Sequence, residues 1–204
     1  MSFLESEQLP TAETDHESPC RECYSGPSAS LEHSLGFAVG RKKHMTCVKA
    51  LLAMGARVNG TDEQRMTPLG HACREGDLAM VRFLLSVGAD INQPATRRGW
   101  PPLVTAAANG NADVIRALLE VGADAKGRCY EGWAALHHAV AGFDYEGPDG
   151  CGVRTLLALG IDPADHLTSR GLHPFTLALH ASNRQFGGPE SVMALLADSC
   201  RPVP

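Results

Sequence analysis

Aromatic side chains are scarce in this chain. Two tryptophans, three tyrosines and six phenylalanines make only 5% of its 204 residues aromatic. A core with so few rings suits small helices that pack closely through Ala and Leu. No run approaches eighteen consecutive apolar residues, so no transmembrane helix is expected. Residues 1–11 lack a basic start and an apolar core, so no secretory signal is expected either. Basic excess is missing too. The net charge of −5 argues against a general nucleic-acid binder, which needs a basic face to neutralise phosphates. The motifs G-x-S-x-G, G-x-x-x-x-G-K and H-E-x-x-H are all absent, and with them the usual sequence marks of a hydrolase elbow, a phosphate loop and a zinc protease. The seven cysteines, an odd number, are scattered through the chain. They read as free thiols in a reducing compartment, the cytoplasm or the nucleus.

What is present is a period. Thr67-Pro68-Leu69, Ala72, Leu84-Leu85 and Gly88-Ala89-Asp90 recur as Pro102-Leu103, Ala106-Ala107, Leu118-Leu119 and Gly122-Ala123-Asp124, each shifted by 33 or 34 residues. A period of that length marks stacked units. Paired leucines at 51–52, 84–85, 118–119, 156–157 and 195–196 define about five of them over residues 31–201. Each pair ends a short amphipathic helix; Leu78, Val81, Leu84 and Leu85 lie on one helical stripe. Gly55, Gly88, Gly122 and Gly160 follow the first four pairs by three residues, where the chain must turn left-handed. A shorter helix opens each unit. Thr67 is placed to cap the second unit's first helix and Pro68 to occupy its first position. Ala72, Ala106, Ala139 and Ala178 form a column of small residues that lets neighbouring helices approach. Residues 1–30 are polar, with no apolar periodicity, and are expected to form a disordered or loosely packed tail.

These residues resemble the ankyrin repeat, whose unit is a β-turn plus two helices and whose signature is T-P-L-H-x-A. The resemblance implies an all-α repeat solenoid, about five helix-turn-helix units with β-turn fingers. It also implies a non-enzymatic, monomeric module without a cofactor, which binds a partner protein on its concave face. Gly70 and Val104 stand where the signature has histidine; His137 keeps it. The first unit (Leu35, Ala38, Val48, Leu51, Leu52, Gly55) is degenerate, as a terminal cap often is. Leu136 to Leu156 spans 20 residues against 15 for Leu69 to Leu84, and Phe175 to Leu195 spans 20. Units four and five therefore carry longer loops, at 142–151 and 181–189, with Phe143, Tyr145 and Phe186 in them. The pattern Leu84, Asp90, Ile91, Asn92 is one that is hydroxylated at the asparagine in many ankyrin proteins.

Candidate binding residues come from one phase. Met66, Trp100, Trp133 and Leu172 precede the capping position in successive units and suit a partner-binding stripe, tryptophan and methionine being enriched at interfaces. Packing between fingers accounts for the same residues, and both readings stand. Arg97, Arg98, Lys126, Arg128 and Arg170 sit towards the finger tips, where arginine beside tryptophan suits an acidic or aromatic segment; solvated turns, where basic residues often sit, explain them as well. His16, Cys20, Cys23 and His33 leave an alternative open, an adaptor whose N-terminal Cys/His tail binds zinc or a second partner. Pro19-Cys20-x-x-Cys23 echoes the zinc deaminases, but too little chain precedes it for that fold.

Overall fold

The structure, a computed structural model, describes residues 23, 30–42, 44–141, 151–163, 171–174 and 176–177. Eight α-helices form among the described residues: α1 Leu31–Phe37, α2 Met45–Ala53, α3 Pro68–Glu75, α4 Leu78–Ser86, α5 Pro102–Ala108, α6 Ala112–Glu120, α7 Ala135–Ala141 and α8 Cys151–Ala158. The first helices of the units stack as α3, α5, α7, and the second helices as α4, α6, α8. The core runs between the two rows. Leu51, Leu84, Leu118 and Leu156, the first leucine of four pairs, are fully buried, as are Ala72 and Ala106. Their partners Leu52, Leu85, Leu119 and Leu157 are half-buried at its edge. The apolar period is thus the packing period.

Local chemistry sets the helix ends. Thr67 Oγ1 accepts from the Gly70 N–H at 3.0 Å, and Asp77 Oδ1 accepts from the Met80 N–H at 3.0 Å. Both are side-chain caps of first-turn N–H groups that lack a partner within the helix. Gly76 ends α3 at φ +72°. Across the stack, Asn111 Nδ2 donates to the Cys73 and Arg74 carbonyls at 2.8 and 3.0 Å, satisfying the end of α3 from the next unit. Asn59 and Asn92 do similar work: Asn59 Oδ1 accepts from the Asp90 N–H, and Asn92 Oδ1 from the Asp124 N–H.

Gly70 has a steric explanation. A Cβ there would lie 2.5 Å from the Ala95 carbonyl oxygen. That carbonyl also accepts from the Thr67 N–H at 3.1 Å, so the neighbouring finger crosses the helix start too closely for the family histidine. The degenerate first unit also forms a helix pair. Leu35 to Leu51 is one residue longer than Leu69 to Leu84, and a π-helical turn at Ala38–Lys42 takes up the extra residue. In unit four, α7 stops at Ala141 and α8 starts at Cys151, so the added residues fall between the two helices. That loop, Phe143, Tyr145 and Phe186 lie outside the described residues, as do most of the fifth unit and most of the N-terminal tail. One residue of that tail departs from the expectation of loose packing: Cys23 is 2% exposed and joins the core cluster.

Candidate functional site

Between each second helix and the next first helix the chain runs out into a finger. The finger before α5 is closed by Ala95 N–H donating to the Trp100 carbonyl at 2.7 Å; the one before α7 is closed by Cys129 N–H donating to the Trp133 carbonyl at 3.0 Å. In both, a left-handed glycine precedes the tryptophan, Gly99 at φ +72° and Gly132 at φ +79°. A Cβ on Gly99 would fall 2.5 Å from the Tyr130 ring. The bare glycine is therefore the seat on which Tyr130 of the next finger rests. The Tyr130 N–H meets the Arg98 carbonyl at 3.4 Å and fixes the two fingers side by side.

At the base of these fingers the two tryptophans converge on α7. The Trp100 ring lies 4.4 Å, centroid to centroid, from His138, and Trp133 lies 5.2 Å from His138 and 6.2 Å from His137. Arg98 stands over the Trp100 ring at 5.8 Å, a cation–π geometry. Burial pushes the His138 imidazole down to about 4, and the His137 ring and Arg98 push in the same direction. His138 is therefore a neutral aromatic ring at neutral pH. His137 is buried and bridges units: its Nδ1 accepts from the Ala134 N–H at 3.2 Å, so its Nε2 carries the proton donated to the Leu172 carbonyl at 3.2 Å.

The finger before α3 is built from other chemistry. Its base holds His71, in the same phase as His138, with Nε2 donating to Asp62 Oδ2 at 2.7 Å and Nδ1 accepting from Arg74 at 3.4 Å. Asp62 favours a charged imidazole, but burial dominates and lowers the His71 pKa. Met66 is buried beneath Arg74, whose Nη1 lies 3.4 Å from the Met66 sulfur.

The four-residue stripe expected from phase is therefore uneven. Met66 is 8% exposed and covered by Arg74. Trp100 and Trp133 are half-buried against the histidines. The Trp100 indole N–H is buried without an acceptor among the described residues. Leu172 is exposed, at 37%. Arg97, Arg98 and Arg128 are exposed; Arg128 donates to the Gly132 carbonyl across its own finger at 3.1 Å. Arg170 lies outside the described residues. Two residues of this surface escaped the sequence reading. Tyr130, 76% exposed, shares its phase with Glu63 and Arg97, so no column advertises it. His138 follows the family histidine directly, which draws the eye to His137, yet it is where both tryptophans meet. Of the tail residues proposed as metal ligands, His16 and Cys20 lie outside the described residues. His33 faces Glu63 at 3.9 Å.

Comparison with known proteins agrees with this architecture. The family description "Ankyrin repeats (3 copies)" matches residues 32–95 and 93–166, more than half of the chain. The chain is similar to Ankyrin repeat and SOCS box protein 16 of Homo sapiens, 40% identical over 122 residues, covering 57% of this chain and 26% of that one. It is also similar to Protein phosphatase 1 regulatory subunit 27 of Homo sapiens and of Mus musculus, 43% identical over 47 residues, covering 23% of this chain and 30% of theirs. The chain thus spans about a quarter of the first relative's length and under a third of the other two.

Proposed function

Because the chain belongs to the ankyrin repeat family, a family of protein-binding stacks, we propose that it is a non-enzymatic module that captures an acidic, aromatic-bearing segment of a partner protein across the fingers before α5 and α7. The observation that carries this reading is the Arg98–Trp100–His138–Trp133 cluster, with exposed Tyr130 seated on Gly99 beside it. Arg97, Arg98 and Arg128 supply positive charge at the same edge. A rigid aromatic with two side-chain torsions loses little entropy on binding, and arginine beside it adds directional charge. The two fingers are held together before any partner arrives, so little ordering remains to be done.

A regulatory subunit among the relatives supports a binding role for the repeats. Among the described residues no helix is long and apolar enough to cross a membrane. The rival reading, an adaptor whose N-terminal Cys/His tail binds zinc or a second partner, draws support from the burial of Cys23 in the core.

The test pairs melting with affinity. Tyr130→Ala and Trp133→Ala should each weaken partner binding by about 2 kcal/mol or more. Tyr130→Ala should leave the melting temperature within a degree or two, since its ring is exposed. Lost stability with affinity retained would reassign the rings to packing.

A further inference from the structure

At the N-terminal end of the stack three potential metal ligands converge from separate parts of the chain. Cys23 Sγ lies 3.8 Å from His44 Nδ1, and Cys47 Sγ lies 3.9 Å from the same nitrogen. All three ligand atoms fall within 4.8 Å of one another. Zinc bound tetrahedrally by sulfur at about 2.3 Å and nitrogen at about 2.0–2.1 Å sets sulfur and nitrogen about 3.6 Å apart, and two sulfurs about 3.8 Å apart. The spacing therefore suits one ion with a small inward movement of each side chain.

We propose that Cys23, His44 and Cys47 form a zinc site that pins the chain before the first repeat onto the start of α2. Three further features favour a built site over casual packing. His44 occupies the cap position of α2, yet its side chain makes no capping bond and its Nδ1 faces both sulfurs. Cys23 arrives from 21 residues away and is buried, as is Cys47. His44-x2-Cys47 sits directly after the π-helical turn at Ala38–Lys42, the kind of insertion that often marks a functional position. Cys73 offers the contrast. It is fully buried on α3, desolvation drives its thiol far up, and it behaves as a small core hydrophobe.

Two thiolates and an imidazole suit zinc among abundant divalent ions, since magnesium and calcium prefer oxygen. Cys20 precedes Cys23 at C-x2-C spacing but lies outside the described residues, so the inference rests on the three described ligands. A metal joining Cys23 to α2 would tie the segment before α1 to the stack. This inference stands or falls separately from the partner-binding reading.

The experiment uses the full chain, purified without a metal-binding tag and kept reduced. Zinc content is measured by elemental analysis, zinc affinity by competition with a chromogenic chelator, and coordination by cobalt(II) absorption. About one zinc per chain is expected, together with the thiolate-to-cobalt charge-transfer and tetrahedral bands. His44→Ala should weaken zinc binding at least about tenfold, with His44→Cys restoring it. Cys23→Ala and Cys47→Ala should remove the charge-transfer intensity that their sulfurs supply. His44 is exposed, so its substitution reports on the metal even where a cysteine variant unfolds. Chelation should lower the melting temperature of the wild type and leave that of His44→Ala unchanged. No zinc uptake by the reduced chain would overturn the proposal. Wild-type affinity in both His44→Ala and Cys47→Ala would also overturn it, by placing the metal in the tail alone.

Discussion

The finger before α3 and the pair of fingers before α5 and α7 occupy equivalent places in the stack, yet they are built from opposite materials. In the first, His71 is tied to Asp62 at 2.7 Å, and the apolar residue of the column, Met66, is roofed by Arg74. In the second, His138 sits against Cys129 at 3.5 Å and between two tryptophans, with Tyr130 seated on Gly99 and largely exposed. The backbone differs as well. The left-handed residue before the column is Gly99, Gly132 and Gly171 in three fingers but Arg65, at φ +59°, in the first. One end of the stack thus spends its finger on internal hydrogen bonds, whereas the middle leaves aromatic and cationic groups at the surface. A repeat scaffold fixes where side chains go; the residues at each position decide whether they hold the stack or face a partner.

The core should not share this asymmetry. Leu84 and Leu156 are both fully buried, so Leu84→Ala and Leu156→Ala should each cost about 2–5 kcal/mol. Chemical denaturation of the two variants checks this. A difference larger than that range would show that the units differ in the core as well as at their fingers.

Acid should probe the histidines. The folded His138 titrates at about 4, below its ordinary 6.5, so the unfolded chain takes up the proton first. Stability from this group is complete above about pH 6.5 and is lost as pH falls towards 4, by about 3 kcal/mol at most. His71 shifts in the same direction, so its contribution also diminishes as pH falls below about 6.5. Measured from pH 7 to 4.5, His138→Gln should show a shallower loss of stability than the wild type. An unchanged slope would mean that the aromatic cluster does not hold a neutral imidazole.

The left-handed position gives the smaller effects. Gly99→Ala meets both an unfavourable φ and the Tyr130 ring, so about 1–3 kcal/mol should be lost. Arg65→Gly should do the reverse and stabilise by about 0.5–1 kcal/mol, since a side chain pays for that conformation. Melting temperatures of the two variants, moving in opposite directions, would sharpen the contrast between the fingers.

Much of this was legible in the sequence. The first four leucine pairs, the glycines three residues later and the Thr67–Pro68 helix start each follow from a local rule, and each is where the period placed it. The finger surface was less legible because it depends on neighbours. Met66, Trp100 and Leu172 share a phase, but their exposure differs with their surroundings: Arg74 covers Met66, which is 8% exposed, whereas Leu172 is 37% exposed. Tyr130 is exposed because it rests on Gly99, 31 residues earlier, and no column pattern records such a pair. The ligands at the N-terminal end were half visible. The C-x2-C spacing singles out Cys20 and Cys23, whereas Cys47, beside Val48 of the first unit, looks like a small core residue. Only the fold brings residues 23, 44 and 47 together.

The most direct test of the account is quantitative capture of partner proteins by three forms of the chain: wild type, Tyr130→Ala/Arg98→Glu, and Gln64→Ala on the polar finger before α3. All three should melt alike, since each altered side chain is exposed. The account predicts that partners held by the wild type are lost from Tyr130→Ala/Arg98→Glu, are kept by Gln64→Ala, and are released as salt rises. Partners kept by the first variant, or lost from the second, at unchanged melting would contradict it.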